Sequence, residues 1–72
     1  MRKLYEYTTM MEALRKEQRL TRSELARKAE MQPTVITWIE TGRFIPYDTQ
    51  LEKIAVVLGW KSDIHKLIEE AE

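Results

Sequence analysis

The chain has 72 residues, with twelve Lys and Arg balancing twelve Asp and Glu, one histidine and no cysteine. A chain this short buries only about 60% of its unfolded surface, which leaves little room for a deep catalytic cleft. The lack of cysteine excludes a disulfide scaffold, and one histidine cannot supply the roughly four N/S ligands of structural zinc. The longest uncharged apolar stretch, residues 54–60, falls far short of the roughly 20 residues of a membrane span. The opening MRKLYEYTT is too polar for a signal peptide, so a cytoplasmic protein is expected.

In chain order, residues 2–7 alternate loosely (Lys3, Tyr5 and Tyr7 against Leu4 and Glu6) and suit a short strand or an extended arm. Thr9-x-x-Glu12 and Thr21-x-x-Glu24 then read as capping boxes, each opening a helix. Met10, Ala13 and Leu14 recur at helical spacing in the first; Leu25, Ala26 and Ala29 mark one face of the second. Pro33 suits the first position of a third helix, where its missing N–H costs nothing. Val35, Ile36 and Ile39 make its stripe and Gly42 its stop. After a loop over residues 43–47, Asp48 or Thr49 caps a fourth helix with Leu51, Ile54, Ala55 and Leu58 inward and Gly59 as its end. Ser62 caps a last helix with Ile64, Leu67, Ile68 and Ala71 at i, i+3, i+4 and i+7.

Five helices of about 8–12 residues are each too short to be stable alone in water, so they must pack together. The expected fold is all-α and a single domain over residues 1–72. Residues 1–7 form its arm or strand, 8–60 a four-helix core, and 61–72 a C-terminal helix.

The zero net charge conceals an asymmetry. Residues 1–60 carry ten basic and eight acidic groups, a balance of +2; residues 61–72 carry two basic and four acidic groups, a balance of −2. Within residues 15–28, six basic groups face two acidic ones, a local +4. A solvated face is the ordinary origin of such a run. It gains meaning only if the charges coincide with a motif.

Two short helices joined at residues 29–32, the second opened by Pro33, make a helix-turn-helix candidate. Residues 14–60 resemble the Cro/repressor (XRE-like) helix-turn-helix family, whose fold is that of the lambda-repressor DNA-binding domain. The landmarks stand in order and at the family's spacing: Leu14-Arg15, then Leu20-Thr21 before Glu24-Leu25-Ala26, then Ile36, Ile39, Glu40 and Gly42, then Pro46, Leu51, Ala55, Leu58 and Gly59. Two departures stand out. Glu30 occupies the turn where the family usually has glycine, in a conformation with φ > 0 that costs a non-glycine residue about 1–3 kcal/mol. Arg22 stands where a glutamine often touches phosphate.

The resemblance implies double-stranded DNA as partner, with the third helix (about residues 33–41) in the major groove. A helical wheel puts Val35, Ile36, Ile39 and Glu40 on one side and Thr34, Thr37, Trp38 and Thr41 on the other. By resemblance Gln32, Pro33, Thr34, Thr37 and Trp38 meet bases. Without an Arg or Lys there to fork guanine, discrimination is expected to be modest and weighted toward A·T. Trp38 remains open between the edge of the core and an apolar contact in the groove. Arg19, Arg22, Thr41, Arg43 and Lys53 are the phosphate candidates, Arg22 and Arg43 foremost, while Arg27 and Lys28 are expected to face solvent. Arg15 and Glu40 match a structural ion pair that ties the first helix to the third.

His65 has neither a catalytic nor a metal partner in the sequence and is expected to be an exposed or capping residue. No catalytic, metal or cofactor site and no small-molecule ligand is expected, and the chain reads as a non-enzyme. Trp60, Ile64, Leu67 and Ile68 are candidate homodimer contacts, with Leu4, Tyr5 and Tyr7 as a rival set. The implied role is a transcriptional regulator, a repressor above all, dimeric on a two-fold site. The alternative is a protein-interaction module (antirepressor, adaptor or antitoxin) that keeps the fold with weak or no DNA binding.

Overall fold

The computed structural model describes residues 8–71. Four α-helices run in order, α1 (Met10–Glu17), α2 (Arg22–Lys28), α3 (Pro33–Glu40) and α4 (Asp48–Leu58), followed by a 3₁₀ helix over Ile64–Ile68. The expected arm, residues 1–7, lies outside the described residues.

The capping chemistry explains where the helices start. Thr21 and Glu24 form a complete box: the Glu24 amide donates to Thr21 Oγ1 at 3.0 Å and the Thr21 amide to Glu24 Oε1 at 2.8 Å. Thr9 makes only half of one, accepting from the Glu12 amide at 3.2 Å, because the Glu12 carboxylate pairs with Lys16 at 3.0 Å instead. α3 opens with Pro33 and uses no side-chain cap. At α4 the sequence expectation shifts by one residue. Tyr47, not Asp48 or Thr49, is the N-cap, and its amide donates to Gln50 Oε1 at 2.8 Å. The third helical residue thus reaches back to the N-cap amide as Glu24 does at α2, and no hydroxyl completes the other half of the box.

All four α-helices end alike. A residue in the left-handed region closes each, with φ of 60° at Arg19, 59° at Glu30, 78° at Gly42 and 73° at Gly59. The amide after it reaches five residues back: Leu20 to Arg15 O (3.0 Å), Met31 to Ala26 O (2.7 Å), Arg43 to Trp38 O (2.8 Å) and Trp60 to Ala55 O (2.9 Å). This is the Schellman pattern, which satisfies carbonyls the helix leaves bare. Leu20, Met31 and Trp60 then fold onto the core, the apolar contact that usually accompanies the motif.

The core is built from Met11 of α1, Leu25 and Ala26 of α2 with Ala29 at its C-cap, Ile36 and Ile39 of α3, Leu51, Ile54, Ala55 and Leu58 of α4, and Leu67. The stripes expected for α2 and α4 are those found, and in α3 Ile36 and Ile39 are buried while Val35 is half-buried against them. In α1 the buried face is Met11 and Arg15 rather than Met10, Ala13 and Leu14, which are only half-buried. A hydrophobic wheel excludes arginine from an inner face, yet Arg15 enters because its charge is paired there.

The C-terminal segment departs most from expectation. Asp63 rather than Ser62 is the cap, accepting from the His65 amide at 3.0 Å. The helix stops at Ile68, and Ala71 is not on it. Glu69 is extended; its carbonyl accepts from the Met10 amide at 2.9 Å, and the Ala71 amide donates to Thr8 O at 2.8 Å. An antiparallel bridge at Thr9 and Glu70 results. The Met10 amide is one of the donors the first turn of α1 leaves unpaired, and an extended chain at residues 69–71 supplies its acceptor.

Candidate nucleic-acid interface

α2 and α3 pack directly on one another, and Leu25, Ala26, Ile36 and Ile39 belong to the core they share. The turn between them, residues 29–32, is set by the positive φ of Glu30, the conformation expected where the family has glycine. α3 therefore lies with Ile36, Ile39 and Glu40 inward while Gln32, Pro33, Thr34, Trp38 and Thr41 stay exposed and Thr37 is half-exposed.

The outward face is polar but partly engaged with its own backbone. Thr37 Oγ1 donates to Pro33 O at 3.2 Å and Thr41 Oγ1 to Thr37 O at 2.8 Å. Each hydroxyl keeps lone pairs to accept with, but donating outward would break a helical back-bond. The Gln32 side chain makes no capping bond. Trp38 is 44% exposed, so its ring belongs to this face and not to the core.

Behind that face sits a buried charge cluster. The Glu40 carboxylate, 0% exposed, accepts from Arg15 Nε at 2.9 Å and Arg15 Nη2 at 3.2 Å. Arg15 Nη1 donates to Leu20 O at 2.9 Å, so all three nitrogens of that guanidinium are engaged. The pair implied by the resemblance is present. Its third member is not legible in sequence: Arg22 Nε also donates to Glu40 Oε1, at 2.8 Å, with the Arg22 side chain 37% exposed. α1, α2 and α3 thus meet at one carboxylate.

The remaining phosphate candidates are exposed. Arg19 and Arg43 form no salt bridge among the described residues, whereas Lys53 stands 3.8 Å from Glu30. Arg27 and Lys28 face solvent, as expected; with backbone and side-chain bonds from Thr21 contributing more, they hold the Glu24 carboxyl below its ordinary range.

Of the candidate dimer residues, Leu67 is 0% exposed and belongs to the chain's own core, and Trp60, Ile64 and Ile68 are half-buried against it. Trp60 Nε1 also donates to Asp63 O at 2.9 Å. Leu4, Tyr5 and Tyr7 lie outside the described residues. His65 is exposed but not alone: Nε2 lies 2.9 Å from Asp48 Oδ1 and Nδ1 lies 3.0 Å from Asp63 Oδ1. The two carboxylates raise the imidazole's pKa, Asp48 most, and hydrogen bonds from His65, its amide first, lower that of Asp63. Seventeen residues separate His65 from Asp48, which is why no local spacing announced the contact. Among the described residues no group of three or more His, Asp or Glu could hold a metal ion, and no helix is long and apolar enough to cross a membrane.

A helix-turn-helix domain family matches residues 9–64, which takes in α1 to α4 and the start of the 3₁₀ helix. No curated protein and no solved structure matches the chain significantly. The order of helices, the α2–turn–α3 packing and this match agree: the chain belongs to the XRE-like helix-turn-helix family of DNA-binding domains.

Proposed function

We propose that the protein is a transcriptional repressor that reads duplex DNA by inserting α3 into the major groove, as a dimer on a two-fold symmetric site. The observation that supports this best is the division of α3. Its inner face is committed to the core, and its outer face offers Gln32, Thr34, Thr37 and Trp38 with Arg43 immediately beyond it. Thr methyls meet thymine methyls, and the Gln32 amide pairs with adenine or a phosphate. Arg22 and Arg43 hold the backbone and fix the register without reading sequence.

Dimerisation follows from the size of the reading element. Eight residues span only about 12 Å of helix axis, and none of them is basic. Two copies on half-sites about 34–36 Å apart supply the affinity that one cannot.

Selection from a random duplex library, followed by a salt titration of the best site, tests the reading. A two-fold symmetric site should be enriched, with affinity falling as salt rises at a slope of about −0.9 per phosphate contacted. Thr34→Ala should change which sequences win, whereas Arg43→Ala should weaken all sequences alike and flatten the slope by about one. No enrichment and no salt slope would reject DNA reading. That outcome favours a protein-interaction role, for which the exposed Ile45, Tyr47 and Val56 are candidate apolar contacts.

A further inference from the structure

We propose that Glu40 is a positioning residue for DNA binding, holding Arg22 by its Nε so that the opposite, Nη edge of the guanidinium is presented to a backbone phosphate. The proposal deepens the DNA-binding reading and rests on it. Two arginines share one buried carboxylate, so the cluster carries one positive charge in excess. Arg15 cannot carry that excess outward: its side chain is 8% exposed and its nitrogens are committed to Glu40 and Leu20 O. The excess therefore falls on Arg22, whose side chain is 37% exposed and joined to Glu40 through Nε.

A guanidinium has two hydrogen-bonding edges in a fixed plane, and anchoring one orients the other. An anchored arginine binds a phosphate oxygen without ordering a long side chain at that moment. A lysine at the same position keeps the charge but has no second edge. Glu40 is also the last residue of α3, and its bonds to Arg15 and Arg22 tie that helix to α1 and α2. One carboxylate thus sets both the reading helix and a phosphate contact on α2.

The test measures affinity for a duplex carrying the best selected site, by fluorescence anisotropy across a salt series, with thermal melts to verify folding. Arg22→Lys should bind roughly tenfold more weakly, the scale of losing one charge-assisted hydrogen bond, while its salt slope stays as in the parent. Glu40→Gln raises the net charge by one, so bulk electrostatics alone would tighten binding; positioning requires it to weaken. In the Glu40→Gln background, Arg22→Ala should cost less than it does in the parent, because the oriented contact is already lost.

Parental affinity in Arg22→Lys, or tighter binding by Glu40→Gln, overturns the proposal. If Glu40→Gln does not fold, Arg22→Lys decides alone, since the half-exposed Arg22 tolerates lysine. A parent that binds no duplex in a salt-dependent way overturns the DNA-binding reading itself. That result is distinct from a binding parent whose Arg22→Lys variant is unchanged.

Discussion

Removing one partner of the Arg15–Glu40 pair should damage the fold more than removing both. Glu40→Leu leaves the Arg15 guanidinium, 8% exposed, with Leu20 O as its remaining acceptor. Arg15→Met leaves the Glu40 carboxylate, fully buried, with Arg22 Nε alone. Breaking a buried pair in this way costs about 3–5 kcal/mol, because the buried charge loses its main partner and cannot hydrate, and half-exposed Arg22 only partly replaces Arg15 at Glu40. A chain of 72 residues has only about 4–11 kcal/mol of stability in total. Each single variant should thus lose about a quarter or more of it, and Tm should fall by roughly 12–24 °C for a 3 kcal/mol loss. The double variant Arg15→Met/Glu40→Leu replaces the pair with apolar groups of similar volume, while Arg22 turns into solvent. It should return to within about 1–2 kcal/mol of the parent. Urea denaturation of the four proteins gives the coupling energy directly. Additive losses in the double variant would refute the argument, because they would mean that neither orphaned charge is penalised by its burial.

Three further predictions concern the turn, the reading face and the contact of His65 with Asp48 and Asp63. Glu30→Gly should raise Tm by a few degrees: the left-handed conformation costs a non-glycine residue about 1–2 kcal/mol, the backbone entropy of glycine about 0.5–1, and the exposed contact with Lys53 contributes little; an unchanged or lower Tm would reject the strain at φ 59°. Trp38→Ala should keep a cooperative melt near that of the parent while weakening duplex binding, since the ring is 44% exposed; a collapse of the melt would return Trp38 to the core. His65 has its pKa raised in the folded chain by Asp48 and Asp63, so its contribution is fully present below the unfolded value near 6.5 and disappears as pH rises through the higher folded value. NMR titration should find the imidazole pKa above 6.5 and lowered by Asp48→Asn, and an unshifted value would dismiss the His65–Asp48 contact.

Much of this protein is written locally. Thr21 and Glu24 announce α2, Gly42 and Gly59 announce the ends of α3 and α4, and the spacing of Ile36 and Ile39 or of Leu51, Ile54, Ala55 and Leu58 announces which faces go inward. These features act within one or two helical turns, so neighbouring residues suffice to reveal them. The positive φ at Glu30 was legible too, but only through resemblance, because no side chain there demands it.

What only the tertiary structure decided involves groups brought together from far apart in the chain. Arg15 sits on the buried face of α1 because Glu40, 25 residues away, neutralises it. Arg22 joins the same carboxylate across 18 residues, and a charge-based reading sees there only a free phosphate ligand. The last helix is cut short because the Met10 amide needs an acceptor that an extended Glu69 can provide. Periodicity measures the hydrophobicity of a face; it does not measure where a charge finds its partner or a backbone donor its acceptor. The sequence by itself determined the four helices, the core stripes of α2 and α4, the Ile36 and Ile39 positions of α3, and the helix-turn-helix. Tertiary packing determined how the charges pair, and so which arginine is held in place beside the reading helix.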